Sequence, residues 1–516
     1  MTVWNDAGVD NMKQKVLKRQ INLLWLALLF CALAAIPKPA TAQDLAAFEK
    51  RMTEFTLDNG LKFLVIERHE VPVVSFHIHT DVGSVDEVKG ITGLAHLFEH
   101  MAFKGTKTIG TKNYGAEAKA MARMDELFDA IKAERRKTEP DQTRLEQLQK
   151  QFEAAQDEEQ NYIEHDEYED VYQKEGCSFF NAFTGQDYTC YIVSLPSNKV
   201  ELWMSLESDR FANPVLREFY KEKDVVMEER RMMENMPGGR LKEEFDAIAY
   251  LAHPYGESVV GHMSDLQTLT RREAEDFFRK YYCPSNLTVA IAGDVNPVEI
   301  KRLAKKYFGG IPSGPKPEPV ETAEPPQRGE RRVVIEDPSQ PQIRIGYHIP
   351  DIRHPDNAVF QAIGDIMGAG RTSRLYKSLV KDKKIAIFVR ANMSWSKYPG
   401  LFTFFAVPSQ GHTGEECEQA IYEQIEKLKT EPVTPEELKK AKSSVRAGII
   451  RQLDSNFALA MNLAFYDVLT GDWRNLFREL DKIEQVTAED IQRAAKEYFT
   501  SKNRSVGIIK TTPIEN

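Results

Sequence analysis

Residues 269–294, LTRREAEDFFRKYYCPSNLTVAIAGD, and residues 486–511, VTAEDIQRAAKEYFTSKNRSVGIIKT, are one pattern written twice. Thr270 and Tyr281 are as far apart as Thr487 and Tyr498, and Thr270 and Asn286 as far apart as Thr487 and Asn503. Each copy opens on a threonine able to cap a helix, continues with apolar residues at helical spacing, turns, and ends in an apolar strand. Matched offsets at three landmarks point to an internal duplication. The fold class read from this is α+β: two homologous α/β half-domains, each an antiparallel-rich sheet with packed helices.

The junction between the halves is marked by composition. From Gly309 to Arg332 the chain carries Pro312, Pro315, Pro317, Pro319, Pro325 and Pro326 among charged residues. Prolines remove ladder donors and hold the chain extended, so this is a linker. The expected division is 43–312, a linker at 313–331, and 332–516. At 516 residues the chain exceeds what one core sustains, which agrees with two. Its net charge of −10 argues against nucleic acid as a partner, because counterion release needs a basic face.

Residues 1–42 are not read as fold. Lys13, Lys15, Lys18 and Arg19 precede the apolar run LLWLALLFCALAAI from Leu23, and Ala40-Thr41-Ala42 forms a small-residue cleavage site. This is a secretory signal peptide, with Met12 as an alternative start. The run is short for a membrane anchor. The expected product is exported, periplasmic and without a membrane span. Cys177, Cys190, Cys283 and Cys417 then remain, at spacings that match no zinc motif. Export permits disulfides, but buried small residues are the simpler reading.

Strands open the first half. Asp58-Asn59-Gly60 signals a hairpin between Phe55-Thr56-Leu57 and the strand Leu61 to Ile66. Val73 to Val82 alternates, with Val74, Phe76 and Ile78 on one face and His77 and His79 on the other, expected to face solvent or a groove. From Glu117 to about Lys174 charge dominates. Met121, Met124, Phe128 and Ile131, then Leu145, Leu148 and Phe152, recur at helical spacing around a break at Thr138-Glu139-Pro140-Asp141. This reads as an inserted helical hairpin, either a solvated structural addition or a docking arm.

The chemistry lies in residues 90–106, GITGLAHLFEHMAFKGT. On a helix, His96, Glu99 and His100 stand at i, i+3 and i+4 and share one face. Two neutral imidazoles at that spacing can hold Zn²⁺, and Glu99 can take a proton from a water activated by the metal. The order H-x-x-E-H is that of the inverzincins.

With these residues in view, the chain resembles the zinc peptidase family of pitrilysin, insulin-degrading enzyme and the mitochondrial processing peptidase. The matching segments are LDNGLKFLVIE (57–67), PVVSFHIHTDVGSVDE (72–87), the zinc helix (93–106), NAFTGQDYTCYIVSLP (181–196), ESDRFANP (207–214) and KEKDVVMEERR (221–231). Apart from the hairpin, the likeness runs through nearly all of 50–510. It implies two halves around a clam-like chamber, one Zn²⁺ on the N-terminal half, and an inactive C-terminal half. It implies Glu229 as third zinc ligand and Glu222 as the carboxylate supporting the site. Glu228 is the competing ligand, but on a helix it points about 100° from Glu229. It also implies that Asn181, Ala182 and Phe183 belong to an edge strand that takes a substrate peptide as an extra strand.

One part of the family pattern fails. Many active members carry in the second half an Arg and, seven residues later, a Tyr that hold the substrate carbonyl. Here Val380 and Ile387 stand at those places, anchored by GAGRTSRLYKSL at 368–379. The expectation is a zinc endopeptidase acting on peptides or small unfolded proteins, paired with a homologous partner chain that supplies the missing donors. A homodimer using Arg371 or Arg374 is the alternative arrangement. A non-catalytic assembly subunit that retains zinc is the alternative function.

Overall fold

The computed structural model describes residues 45–513, and the leader assigned to 1–42 lies outside them. Among the described residues, 45–51, which carry a helix at Leu45–Glu49, belong to a unit of their own. From Met52 onward the chain is a single further unit.

Asp58-Asn59-Gly60 reverses the chain, with Gly60 at φ 96°, where a residue bearing a Cβ would be strained. The strands on either side, β1 (Met52–Thr56) and β2 (Lys62–Glu67), pair antiparallel. β3 (Val73–Thr80), β4 (Phe179–Thr184), β5 (Thr189–Pro196) and β6 (Leu287–Gly293) complete a sheet of order β1-β2-β6-β3-β5-β4. In the second half β7 (Arg331–Asp337), β8 (Gln342–Ile349), β9 (Ala386–Met393), β10 (Gly400–Pro408) and β11 (Arg504–Thr511) form the order β7-β11-β8-β10-β9. Without β1 the two orders correspond strand for strand. The one parallel pair falls at the same place in each, β2 with β6 and β7 with β11.

Ten helices position the site and join the halves. In the first half they are α1 (Leu94–Met101), α2 (Tyr114–Arg135), α3 (Gln142–Gln160), α4 (Phe219–Asn235), α5 (Pro237–Ala249) and α6 (Arg271–Tyr281). In the second half they are α7 (Asn357–Gly368), α8 (Pro435–Gln452), α9 (Asn456–Thr470) and α10 (Ala488–Tyr498). The duplicated threonines do the same work in both copies. The Thr270 hydroxyl accepts the Glu273 N–H (3.2 Å) and the Thr487 hydroxyl accepts the Asp490 N–H (3.1 Å), each within a reciprocal capping box. α2 and α3 form the antiparallel hairpin, with Met121, Met124, Ile131 and Phe152 buried along the seam.

No strand or helix lies between Tyr307 and Arg331, yet the halves interlock. Each lends a helix to the other's sheet. α9 lies across β3 and β6, fixed by Lys62 to Asp467 (2.6 Å) and by the Asn456 side-chain amide donating to the Val73 carbonyl (3.0 Å). In return α5 lies across β7, β8 and β11 and seats Phe245 against Gly346 and Gly507. A Cβ on Gly346 would stand 2.6 Å from the Phe245 ring, so glycine is needed there.

This exchange corrects the expectation for His77 and His79. Both are fully buried rather than facing solvent, because α9 covers their side of β3. The His77 ring packs edge-on to Phe457 at 5.0 Å, and neither of its nitrogens has a hydrogen-bond partner. His79 Nδ1 is 3.4 Å from Cys190 Sγ. Burial holds His77 well below the usual imidazole range and lowers His79 to about 3. Cys190, Cys283 and Cys417 are buried, Cys177 is half-buried, and all four are free thiols. Among the described residues no helix is long and apolar enough to cross a membrane.

Candidate metal centre

α1 is held by its N-terminus. Gly93 precedes it at φ 90°, and a Cβ there would meet the Val260 carbonyl at 2.6 Å. The Glu87 carboxylate accepts the Gly93 and Ala95 N–H groups, both at 2.7 Å, and so satisfies two free donors of the helix. Burial outweighs those bonds and raises Glu87 to about 8. Leu94, Leu97, Phe98 and Met101 fill the core beneath α1. His96, Glu99 and His100 are therefore left on the opposite face.

α4 brings the third group. Glu229 Oε2 lies 3.6 Å from His96 Nε2, and Oε1 lies 3.7 Å from His100 Nε2. One ligand atom from each residue falls within 4.8 Å of the others, the only such group among the described residues. Tetrahedral zinc with bonds of about 2.0–2.2 Å sets its ligand atoms about 3.3 Å apart, so these side chains fit the ion with small adjustments. Glu228 turns outward and pairs with Arg231.

The electrostatics suit a metal site. Burial, with His100 nearby, lowers His96 to about 4 and keeps it neutral, as a ligand must be. Burial also lowers His100, but the Glu222 hydrogen bond and the Glu229 charge outweigh it and raise its pKa. Glu222 Oε2 is 3.4 Å from His100 Nδ1, and its Oε1 is 2.5 Å from Lys104 Nζ. Burial raises Glu222, yet those two partners bring it below the usual carboxylate value. Burial raises Glu99, opposed by a hydrogen bond to Thr184 at the end of β4.

β4 is the last strand of its sheet and pairs only with β5. Asn181 is exposed, Ala182 buried and Phe183 half-buried. The Asn181 side-chain oxygen accepts the Ala182 N–H (2.9 Å). Sequence reasoning missed Glu87, Lys104 and Glu218. A partial signal existed for two of them: Lys104 follows His100 by four residues and Glu218 precedes Glu222 by four, a spacing that brings side chains close over a helix turn, although both stand just outside the helices of their neighbours.

The sequence matches the family described as Insulinase (Peptidase family M16) over residues 62–125 and 158–262. It matches the Peptidase M16 inactive domain over 268–445. The chain belongs to the M16 peptidase family. M16 relatives include the zinc protease PqqE of Helicobacter pylori, 27% identical over 464 residues, which span 88% of this chain and 92% of that one. The zinc protease YmxG of Bacillus subtilis is 22% identical, with 86% of this chain and 95% of that one aligned. Among solved structures, a protease from Helicobacter pylori superposes with a TM-score of 0.75 at 26% identity, covering 89% of this chain and 99% of that one. The periplasmic protease PqqL from Escherichia coli shares the fold at a TM-score of 0.67 and 16% identity, over 90% of this chain but 48% of that one.

The M16 match passes over residues 126–157, the distal part of the α2–α3 hairpin. In the M16 inactive domain, Val380 lies in a π-helical turn, Tyr376–Asp382, and Ile387 is exposed on β9. Arg374 is committed to Glu437 through two hydrogen bonds (2.8 and 2.9 Å), which occupies one of the two alternative donors.

Proposed function

We propose that this chain is a zinc-dependent endopeptidase. The observation that carries the reading is the convergence of His96, His100 and Glu229 from two helices, with Glu99 beside them and a free strand edge adjacent. His96, His100 and Glu229 hold the ion, one per chain. Zinc bound there would polarise a peptide carbonyl and make water a stronger acid. Glu99, with its raised pKa, accepts the proton of the attacking water on its carboxylate and returns it to the departing amide nitrogen. Glu222 accepts the His100 Nδ1 proton, which fixes the tautomer and turns Nε2 toward the site. Asn181, Ala182 and Phe183 on β4 align the substrate backbone as an added strand.

The site lacks groups that would hold the substrate carbonyl at the places of Val380 and Ile387. This chain also matches only about half the length of PqqL, while the first half of PqqL alone matches it over 92% of that piece. Both observations support a second, homologous chain that completes a closed chamber. The periplasmic setting of PqqL and the sequence of residues 1–42 support a periplasmic location.

Glu99→Gln tests the reading. It should keep stoichiometric zinc by elemental analysis and reduce cleavage of a quenched peptide by about 10²–10⁴-fold. Undiminished cleavage would remove Glu99 from its role. A wild-type chain that holds zinc but cleaves nothing, alone or with whatever co-purifies from its native source, would favour the assembly-subunit alternative.

A further inference from the structure

The helix that carries Glu222 and Glu229 starts from a strained residue. Glu218, just before α4, has φ 55°, a left-handed conformation shared among described non-glycine residues only with Asp166 and Lys384. Residues with a Cβ rarely adopt it, and such outliers persist only where their surroundings hold them. Glu218 is buried and gripped from several sides. Its N–H donates to Glu159 Oε1 (3.2 Å). Its Oε1 accepts from Gln160 Nε2 (3.1 Å) and Lys221 Nζ (2.7 Å), and its Oε2 accepts from Lys104 Nζ (3.1 Å). Lys104 in turn bonds Glu222, which bonds His100.

Glu159 and Gln160 are the last two residues of α3, at the base of the inserted hairpin. The hairpin holds the same helix turn elsewhere. The Tyr220 hydroxyl donates to Asp125 (2.9 Å), its ring packs on Phe128 and Phe152 at 4.7 and 5.2 Å, and Lys223 Nζ sits 4.0 Å from the Phe128 ring centre. Every one of these partners lies on α2 or α3.

We propose that Glu218 is a positioning residue for the metal centre, and that the hairpin acts on the centre through it. The hairpin base fixes the left-handed turn, the turn sets the entry angle of α4, and the Glu218–Lys104–Glu222 relay holds the imidazole of His100. The hairpin is then a brace for zinc rather than a solvated addition. This rests on the reading of His96, His100 and Glu229 as zinc ligands.

The test measures the zinc dissociation constant of the full chain by chelator competition, with the melting temperature of the metal-free protein alongside. Glu218→Gln should weaken zinc binding about 10-fold or more, the range for partners that orient a ligand. Glu218→Gly, which tolerates the backbone but lacks the carboxylate, should weaken it comparably. Gln160→Ala should weaken it severalfold. Gln149→Ala, on the outer flank of α3 beside Glu153, should leave it unchanged. A lowered melting temperature with an unchanged zinc constant would show a merely structural role and overturn the proposal. Weakening by Glu218→Gln without any effect of Gln160→Ala would overturn the hairpin's part. If wild type itself bound no zinc, the metal reading would fail and take this inference with it; if wild type binds and the variants bind equally, only this inference falls.

Discussion

The frame around the candidate metal centre in the first half and its counterpart in the second are built from the same parts. In the first, α1 lies beside edge strand β4 and helix α4; in the second, α7 lies beside edge strand β9 and helix α8. α7 presents Gln361, Gly364 and Asp365, at the offsets of His96, Glu99 and His100, to a cavity of about 350 Å³. Arg390 and Asn392 of β9 and Ser444 and Gly448 of α8 share that cavity. Burial raises the Asp365 carboxyl, opposed by Ser444. The frame thus survives intact without an imidazole, so packing builds the cleft and the few side chains set into it decide its chemistry.

The comparison can be broken at several depths. The loss expected for Glu99→Gln is the deepest, since Gly364 at the matching offset has no proton to move. Next comes the interlock. Phe245→Ala, removing the fully buried ring that α5 seats in the second sheet, should cost about 3–5 kcal/mol in urea unfolding. A cost near zero would mean that the second half does not depend on its borrowed helix.

Acid should separate the halves more gently. Burial keeps His79 neutral in the folded chain at pH values where the unfolded chain would protonate it. The stability is therefore full above pH about 6.5 and is lost progressively as pH falls toward 3. For His79 alone this amounts to about 2 kcal/mol at pH 5 relative to pH 7. His79→Gln should shrink the difference between unfolding curves at the two pH values, and an unchanged difference would place the acid sensitivity elsewhere. The smallest effect belongs to the second cavity: Asp365→Asn should leave zinc content and peptide cleavage as they are, and a loss of either would show that the counterpart frame contributes to the reaction.

What the sequence reveals follows the range of each interaction. The duplicated Thr270 and Thr487 helices are legible because a cap and its helix are local. His96, Glu99 and His100 are legible because one helix turn brings them together. Glu229 is reached by resemblance, since nothing within 129 positions of backbone ties it to His100 before folding. The true environment of His77 and His79 is hidden: alternation tells which residues share a face, and only α9, nearly four hundred residues later, decides whether that face is wet. Glu218 is hidden for a related reason, because its left-handed turn is imposed by Glu159, Gln160 and Lys104 and not by its own type.

The reciprocal helices have a consequence for how the protein comes into being. Asn456 reaches Val73 across 383 positions, so the first sheet cannot be covered until most of the chain exists. Contacts of that span form slowly, and the bare strand face beforehand is a site for aggregation. A chain cut in the linker would yield no miniature enzyme, only a sheet without its lid and a helix without its seat. The duplicated halves amount to a domain-swapped dimer tied into one molecule. Having traded helices, neither copy could be lost or expressed alone, which would explain why a half with no cluster of metal ligands among its described residues is kept.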